Sequence, residues 1–87
     1  MFVIVAYDVN KKRVAKALKV CRKYLWTVQN SVFEGHLTHA ELQRLKEELR
    51  KVIITEEDGV VIYCLESVRF THKETIGKRL RQGAIIE

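Results

Sequence analysis

Proline is absent from this chain, and the four glycines among its 87 residues are scattered. The sequence therefore shows neither a flexible linker nor a glycine-rich loop that would hold phosphates. Because the length lies below the usual ~100–200 residues of a domain, we expect a single domain over residues 1–87. A domain this small buries only about 60–65% of its unfolded surface, so a shared interface would add to its stability.

Cysteine is also scarce, and the two residues, Cys21 and Cys64, match no metal-binding spacing such as C-x-x-C. Each falls on a predicted apolar face, where free thiols commonly serve as core residues. No apolar run approaches the roughly 18 residues that a membrane-spanning helix needs, and the N-terminus lacks the pattern of a secretion signal. We therefore expect a reduced, cytoplasmic protein that has no membrane partner.

Two further absences concern sites for metals and bases. The three histidines do not form an H-x-x-x-H pair, so the sequence predicts no zinc site. The aromatic motif with which RNA-recognition domains stack bases on a sheet is also missing, which favours recognition of a nucleic-acid backbone. Sixteen Lys and Arg residues against eleven Asp and Glu give a net charge of +5, which favours a polyanionic partner. An ordinary basic surface explains the charge equally well.

What the chain does contain is an alternation of strand and helix patterns. An apolar run at 2–8 predicts a buried strand. It is followed by a helix from a cap at Asn10 to about Tyr24, and then by two short strands at about 25–29 and 31–36. A second helix runs from a capping box at Thr38 to near Lys51, and an apolar strand follows at 60–65. This β-α-β-β-α-β order predicts the ferredoxin-like α+β fold, with both helices on one face of a four-stranded antiparallel sheet.

Association of two copies is a second expectation. The first and last strands are apolar throughout, so both of their faces need burial, and a second copy of the chain would cover the open sheet face. In the tail at 67–87, Ile85 and Ile86 predict an extra short C-terminal strand that adds to the sheet edge of the partner. The predicted molecule is thus a homodimer.

Asp8 is the first candidate for chemistry, because a strand that ends in a carboxylate is followed almost at once by Lys11, Lys12 and Arg13. Mg²⁺ typically takes one or two carboxylates and completes its shell with waters and substrate phosphates. Two Asp8 side chains that face each other across a homodimer axis would form such a site. The cation could lower the pKa of a bound water and neutralise charge at a phosphorus. The alternative is that Asp8 only caps the turn into the helix.

The segment at 31–35, S-V-F-E-G, is the second candidate. The Ser31 hydroxyl could position a phosphate or a water, or it could satisfy backbone groups in a turn. Packing by itself would explain Phe33, and the polar side of an edge strand would explain Glu34.

These motifs together resemble the CRISPR-associated protein two family. The resemblance covers nearly the whole chain and rests on Tyr7-Asp8-Val9 after the first strand, the basic helix start at Lys12-Arg13, the V-Q-x-S-V-F-E-G block at 28–35, and the acidic turn before the strand at 60–65. The combination of the Y-D pair with the V-Q-x-S-V-F-E-G block is specific, whereas either motif alone is weak.

The resemblance implies a ferredoxin-like homodimer that exchanges its C-terminal segment, here 67–87, between protomers. It implies that Asp8 from each protomer binds Mg²⁺ or another divalent cation, and that Ser31 and Phe33 act with Asp8 as catalytic residues. It further implies that basic residues contact the nucleic-acid backbone, namely Lys12, Arg13, Lys78, Arg79 and Arg81. Family members often carry two arginines where this chain has Lys12-Arg13, and a lysine cannot clamp a phosphate with two parallel hydrogen bonds.

Two functions follow from the resemblance. The first is a CRISPR-associated adaptation protein with metal-dependent endonuclease activity on RNA or DNA, which acts in spacer acquisition during antiviral defence. The second is a non-catalytic scaffold that bridges two copies of the CRISPR integrase and holds DNA. Without the family, a regulatory domain for a small molecule would fit the same fold, although the basic charge disfavours it.

Overall fold

A computed structural model describes residues 1–66 of the chain. The elements follow in the order β1 (Phe2–Asp8), α1 (Lys11–Tyr24), β2 (Trp26–Gln29), β3 (Val32–His36), α2 (His39–Val52) and β4 (Gly59–Leu65). The sheet has the strand order β2-β3-β1-β4, and all neighbouring strands are antiparallel. This architecture confirms the predicted ferredoxin-like α+β fold. The predicted C-terminal strand and the predicted exchange of the tail at 67–87 lie outside the described residues.

The core lies between the sheet and the two helices. β1 pairs with both β3 and β4, and its alternate side chains Val3, Val5 and Tyr7 are buried on the helix side. Phe33 of β3 pairs with Val5 and is fully buried. The helices complete this core mainly with Ala17, Val20, Cys21, Leu42, Leu45 and Leu49.

Both predicted helix caps are present. The Asn10 side chain accepts a hydrogen bond from the Lys12 amide at 3.0 Å, which satisfies one of the free donors at the start of α1. At the start of α2, Thr38 Oγ1 accepts from the Glu41 amide at 3.1 Å, and Glu41 Oε1 accepts from the Thr38 amide at 2.9 Å. The reciprocal pair confirms the capping box that the sequence predicted.

Gly35 marks a close approach between β3 and the end of α1. A Cβ atom at this position would lie 3.1 Å from Leu25 Cδ2 and 3.6 Å from the Leu25 Cα. A larger residue would therefore push Leu25, itself a core residue, away from the sheet. This contact explains the glycine that ends the S-V-F-E-G segment.

The structure corrects the expected position of Glu34. The side chain was expected on the polar side of an edge strand, but β3 lies between β1 and β2, where Glu34 pairs with Ile4 and with Trp26. Glu34 is fully buried. The prediction was wrong because β1 inserts beside β3, which the sequence of the hairpin alone does not show.

β4 also differs from expectation. It lies at the sheet edge, where Cys64 is exposed, so the predicted core position of this thiol was wrong, whereas Cys21 is buried as predicted. The side chains of Val61 and Tyr63 remain 51% and 58% exposed. Their burial by a second copy of the chain stays a prediction. Neither described helix has the length and apolar character that crossing a membrane requires.

Candidate functional site

Asp8 is the last residue of β1 and is exposed at the rim of the sheet. It pairs in register with Gly59, the first residue of β4. Because side chains alternate along a strand, Asp8 lies on the opposite side from Tyr7, away from the helices. Within residues 1–66, none of the ion pairs involves Asp8, so its carboxylate is accessible to a ligand.

Ser31 lies beside the end of β1. The Tyr7 amide donates a hydrogen bond to the Ser31 carbonyl oxygen at 3.1 Å, and the next residue, Val32, pairs with Ala6. The fold therefore brings Ser31 next to the residue that precedes Asp8, although the whole of α1 and β2 separates them along the chain. Two of the predicted site residues thus share one end of the sheet.

Lys11 and Lys12 stand close to Asp8 for a simpler reason. Only Val9 and Asn10 separate the end of β1 from the start of α1, and both lysines are exposed in its first turn. Neither forms an ion pair with a described residue. The two ammonium groups are therefore available to a phosphate chain that approaches this end of the sheet.

Arg13, in contrast, is held by acidic side chains. Its Nε donates to Asp58 Oδ2 at 2.7 Å, and its Nη2 donates to Asp58 Oδ1 and to Glu57 Oε1, both at 3.0 Å. The Arg13 side chain is only 15% exposed, and that of Asp58 is fully buried. The structure thus gives Arg13 an ionic partner within the chain, and its predicted contact with nucleic acid stays a prediction.

Asp58 is the residue of this region that sequence reasoning missed. Besides Arg13, it accepts hydrogen bonds from the amides of Asn10 and Ile54, both at 2.9 Å. The Arg13 guanidinium and these amides hold the pKa of the Asp58 carboxyl well below its usual range, against the opposing effect of burial. Asp58 therefore ties the cap of α1 to the loop before β4. Its sequence signal was the acidic turn that ends in Asp58-Gly59, to which no role was assigned.

Phe33 occupies a position that rules out direct contact with a substrate in this conformation. Its side chain is fully buried, and its ring centroid lies 5.5 Å from that of Tyr7. Tyr7 is itself buried, and this burial raises the pKa of its hydroxyl. Phe33 is therefore placed to support the strand that carries Asp8, and its predicted role in nuclease activity stays a prediction.

The end of the sheet that carries Asp8 has a donor suited to a divalent cation. The described part of the chain holds no cluster of three or more His, Cys, Asp or Glu side chains suited to a metal ion. The exposed Asp8 carboxylate supplies one hard oxygen ligand, which fits the one or two carboxylates that Mg²⁺ usually takes in proteins. Residues 1–66 thus offer one carboxylate for such a site. The remaining predicted contact residues, Lys78, Arg79 and Arg81, lie outside the described residues.

Comparison with known sequences gives a consistent result. The family model described as CRISPR associated protein Cas2 matches residues 1–73. The chain is 49% identical to the CRISPR-associated endoribonuclease Cas2 of Thermotoga maritima over 77 residues, which is 88% of each protein. It is 48% identical to the protein of the same name from Pyrococcus furiosus over 77 residues, again 88% of each.

Comparison with solved structures agrees with the sequences. The crystal structure of Streptococcus pyogenes Cas2 at pH 6.5 is similar with a TM-score of 0.74 and 37% identity, over 88% of this chain and all of that one. A second structure, described as a crystal structure of cas2, is similar with a TM-score of 0.79 and 36% identity. That match spans 100% of this chain and 97% of the other.

Proposed function

Because this chain belongs to the CRISPR-associated Cas2 family, as its motifs predicted, we propose that it is a metal-dependent endoribonuclease of CRISPR antiviral defence. Relatives that share close to half of their residues with it are named endoribonucleases. The observation that carries the proposal is the exposed Asp8 carboxylate at the end of β1, with Ser31 on the neighbouring loop and free lysines at the start of α1.

The catalytic unit in this proposal is a homodimer. Each copy would contribute its Asp8 carboxylate to a shared divalent cation, because the described residues of one chain form no larger cluster of metal ligands. When bound, such a cation supplies Lewis-acid stabilisation of the negative charge that develops on the phosphoryl oxygens. The exposed apolar side chains of β4, among them Val61 and Tyr63, would be covered in the same association.

The chain's own residues then bind and orient the RNA. Lys11 and Lys12 pair with phosphates as point charges and hold the backbone across the sheet rim. The Ser31 hydroxyl orients the phosphate that is cleaved, since its backbone is hydrogen-bonded beside Asp8. Tyr7 and Phe33 contact no RNA and keep the end of β1 in place.

The test is cleavage of a labelled single-stranded RNA by the Asp8→Asn dimer, with Mg²⁺, with Mn²⁺ and with EDTA. Loss of several kcal/mol of transition-state stabilisation lowers the rate by about a hundredfold or more. Glu56→Gln, which removes an exposed acid from the turn before β4, is the matched control and should cleave at the wild-type rate. Undiminished cleavage by a folded Asp8→Asn dimer, or cleavage that EDTA leaves unchanged, would contradict the mechanism.

The second function, a scaffold that holds DNA for the CRISPR integrase, is favoured by one observation. Lys12, Lys16 and Lys19 are all exposed along α1, so the basic surface extends beyond the rim that carries Asp8. A 14-residue helix is about 21 Å long, which would span roughly six base pairs of a duplex. In a reconstituted spacer-integration reaction, a scaffold predicts that Asp8→Asn supports integration while the double variant Lys16→Glu, Lys19→Glu does not.

A further inference from the structure

A cleft of about 750 Å³ opens at the Ser31 end of the sheet, on the side of α1. We call it the Arg22 cleft and define it by its lining, which consists of Leu18, Arg22 and residues 27–31. Its volume lies within the ~300–1,000 Å³ of sites that bind small molecules and cofactors. None of these residues except Ser31 was assigned a role by the sequence.

The chemistry of the lining suits a nucleotide. The Arg22 side chain is exposed and forms no ion pair with a described residue, so its guanidinium is free to bind a phosphate with two parallel hydrogen bonds. Gln29 and Asn30 are exposed, and each carboxamide both donates and accepts, as pairing with the edge of a base requires. Leu18 supplies an apolar wall for the flat face of a base.

The Arg22 cleft meets the candidate site at Ser31. Ser31 lines the cleft, and its carbonyl accepts the hydrogen bond from the Tyr7 amide, one residue before Asp8. A nucleotide in the cleft would therefore adjoin the phosphate that Ser31 orients.

We propose that the Arg22 cleft is a base-reading subsite, which binds one unpaired nucleotide of the RNA next to the cleaved phosphate. Arg22 holds its phosphate, and the carboxamides of Gln29 and Asn30 select its base. A duplex is excluded as the occupant because its base edges are already paired and lie in grooves that these short side chains cannot enter. This inference rests on the proposed endoribonuclease function and adds to it a preference for the base beside the cut.

The first experiment measures binding rather than cleavage. Fluorescence anisotropy in EDTA gives the Kd of a short labelled single-stranded RNA for the wild type, for Arg22→Gln and for Arg44→Gln. Arg44 is exposed on α2 and lies outside the cleft lining, so it is a control that loses the same charge. Arg22→Gln should raise the Kd about tenfold, the size of one lost hydrogen bond to a charged group. It should also reduce the slope of log Kd against log salt by about 0.7, the value for one phosphate of a single strand.

The second experiment tests the reading of the base. Asn30→Ala and Gln29→Ala are measured against four homopolymeric single-stranded RNAs, with thermal unfolding as the check on folding. Both should reduce the differences in Kd among the four RNAs, while the salt slope stays at the wild-type value. For duplex RNA, Arg22→Gln and Arg44→Gln should raise the Kd by the same small factor.

Three outcomes overturn the inference: equal Kd values for Arg22→Gln and Arg44→Gln on single-stranded RNA, an equally large loss for Arg22→Gln on duplex RNA, or unchanged base preference in both carboxamide variants. These results do not depend on cleavage. Failure of the Asp8→Asn test with a tenfold binding defect in Arg22→Gln would refute the nuclease and leave the subsite standing. If cleavage depends on Asp8 as proposed but Arg22→Gln binds RNA as tightly as the Arg44→Gln control, the subsite is refuted and the nuclease stands.

Discussion

The guanidinium of Arg13 binds both carboxylate oxygens of Asp58, from Nε to Oδ2 at 2.7 Å and from Nη2 to Oδ1 at 3.0 Å. Asp58 precedes Gly59, which pairs with Asp8, and it also accepts from the Asn10 amide at the cap of α1. Asp8 and the cap of α1 that follows it are therefore anchored to the same segment. The Arg13–Asp58 pair thus sets the relation between the carboxylate of the candidate site and the lysines at the start of α1.

Replacing Asp58 by Asn should destabilise the protein strongly. The variant keeps the shape of the side chain but leaves the part-buried Arg13 without its buried ionic partner, which is among the more costly single changes. For a domain of this size we expect the Tm to fall on the order of 10 °C or more. Circular dichroism measures it, with Glu57→Gln as the control because the Glu57 side chain is 55% exposed. Equal Tm values for the two variants would show that the Arg13–Asp58 pair does not contribute to stability.

The same pair makes stability depend on acid pH. The pKa of Asp58 is lowered in the folded state, so the unfolded chain binds the proton more readily, and the contribution is fully present above the unfolded value of about 3.9. It is lost as the pH falls through the unfolded value toward the depressed folded pKa. Urea unfolding of the wild type and of Asp58→Asn across this window should give free energies of unfolding that converge at low pH. A difference in free energy of unfolding between the two proteins that stays constant with pH would contradict the assignment of this acid dependence to Asp58.

Phe33→Ala should lower the free energy of unfolding by about 3–5 kcal/mol, because it empties a fully buried aromatic position. RNA cleavage should fall in parallel, since Phe33 supports Tyr7 and the end of β1. Trp26→Ala is the control: this side chain is 57% exposed, and its removal should change stability by less than about 1 kcal/mol. Chemical denaturation and cleavage are measured on the same samples. Complete loss of cleavage with wild-type stability would instead favour direct contact of Phe33 with RNA.

Lys12 and Arg13 should separate in their effects. Lys12→Gln removes an exposed charge. For binding to single-stranded RNA, it should reduce the slope of log Kd against log salt by about 0.7, with little change in Tm. Arg13→Gln should instead lower the Tm, because Asp58 loses its partner. Salt titrations and thermal unfolding of both variants check the division. If the Arg13→Gln protein is folded and its slope of log Kd against log salt is reduced, the result would support the phosphate contact that the family resemblance implied for Arg13.

The two thiols should differ in reactivity. Burial raises the pKa of the Cys21 thiol to about 12, so it holds almost no thiolate near neutral pH, whereas Cys64 is exposed on β4. A thiol reagent such as DTNB should modify one cysteine in the native protein and the second only after unfolding. In Cys64→Ser, native modification should disappear. Rapid reaction of both thiols in the folded protein would mean that the core around Cys21 opens easily.

The sequence predicted the order of the described elements, and their bounds to within one residue, because the signals are local. An apolar run, the Asn10 cap and the Thr38–Glu41 capping box each act within a few residues. It failed for Glu34 and Cys64 because burial on a strand depends on whether that strand is central or at an edge. Strand order is a property of the whole sheet, and no short segment carries it.

The candidate site divides in the same way. Asp8 and the nearby lysines were identified from the sequence alone, because only two residues separate Asp8 from the first of them. The specific motifs identified the family. Only the tertiary structure placed Ser31 beside Tyr7, paired Arg13 with Asp58 and opened the cleft at Arg22. These contacts join residues that are distant in the chain, and a sequence read segment by segment does not measure distance in space.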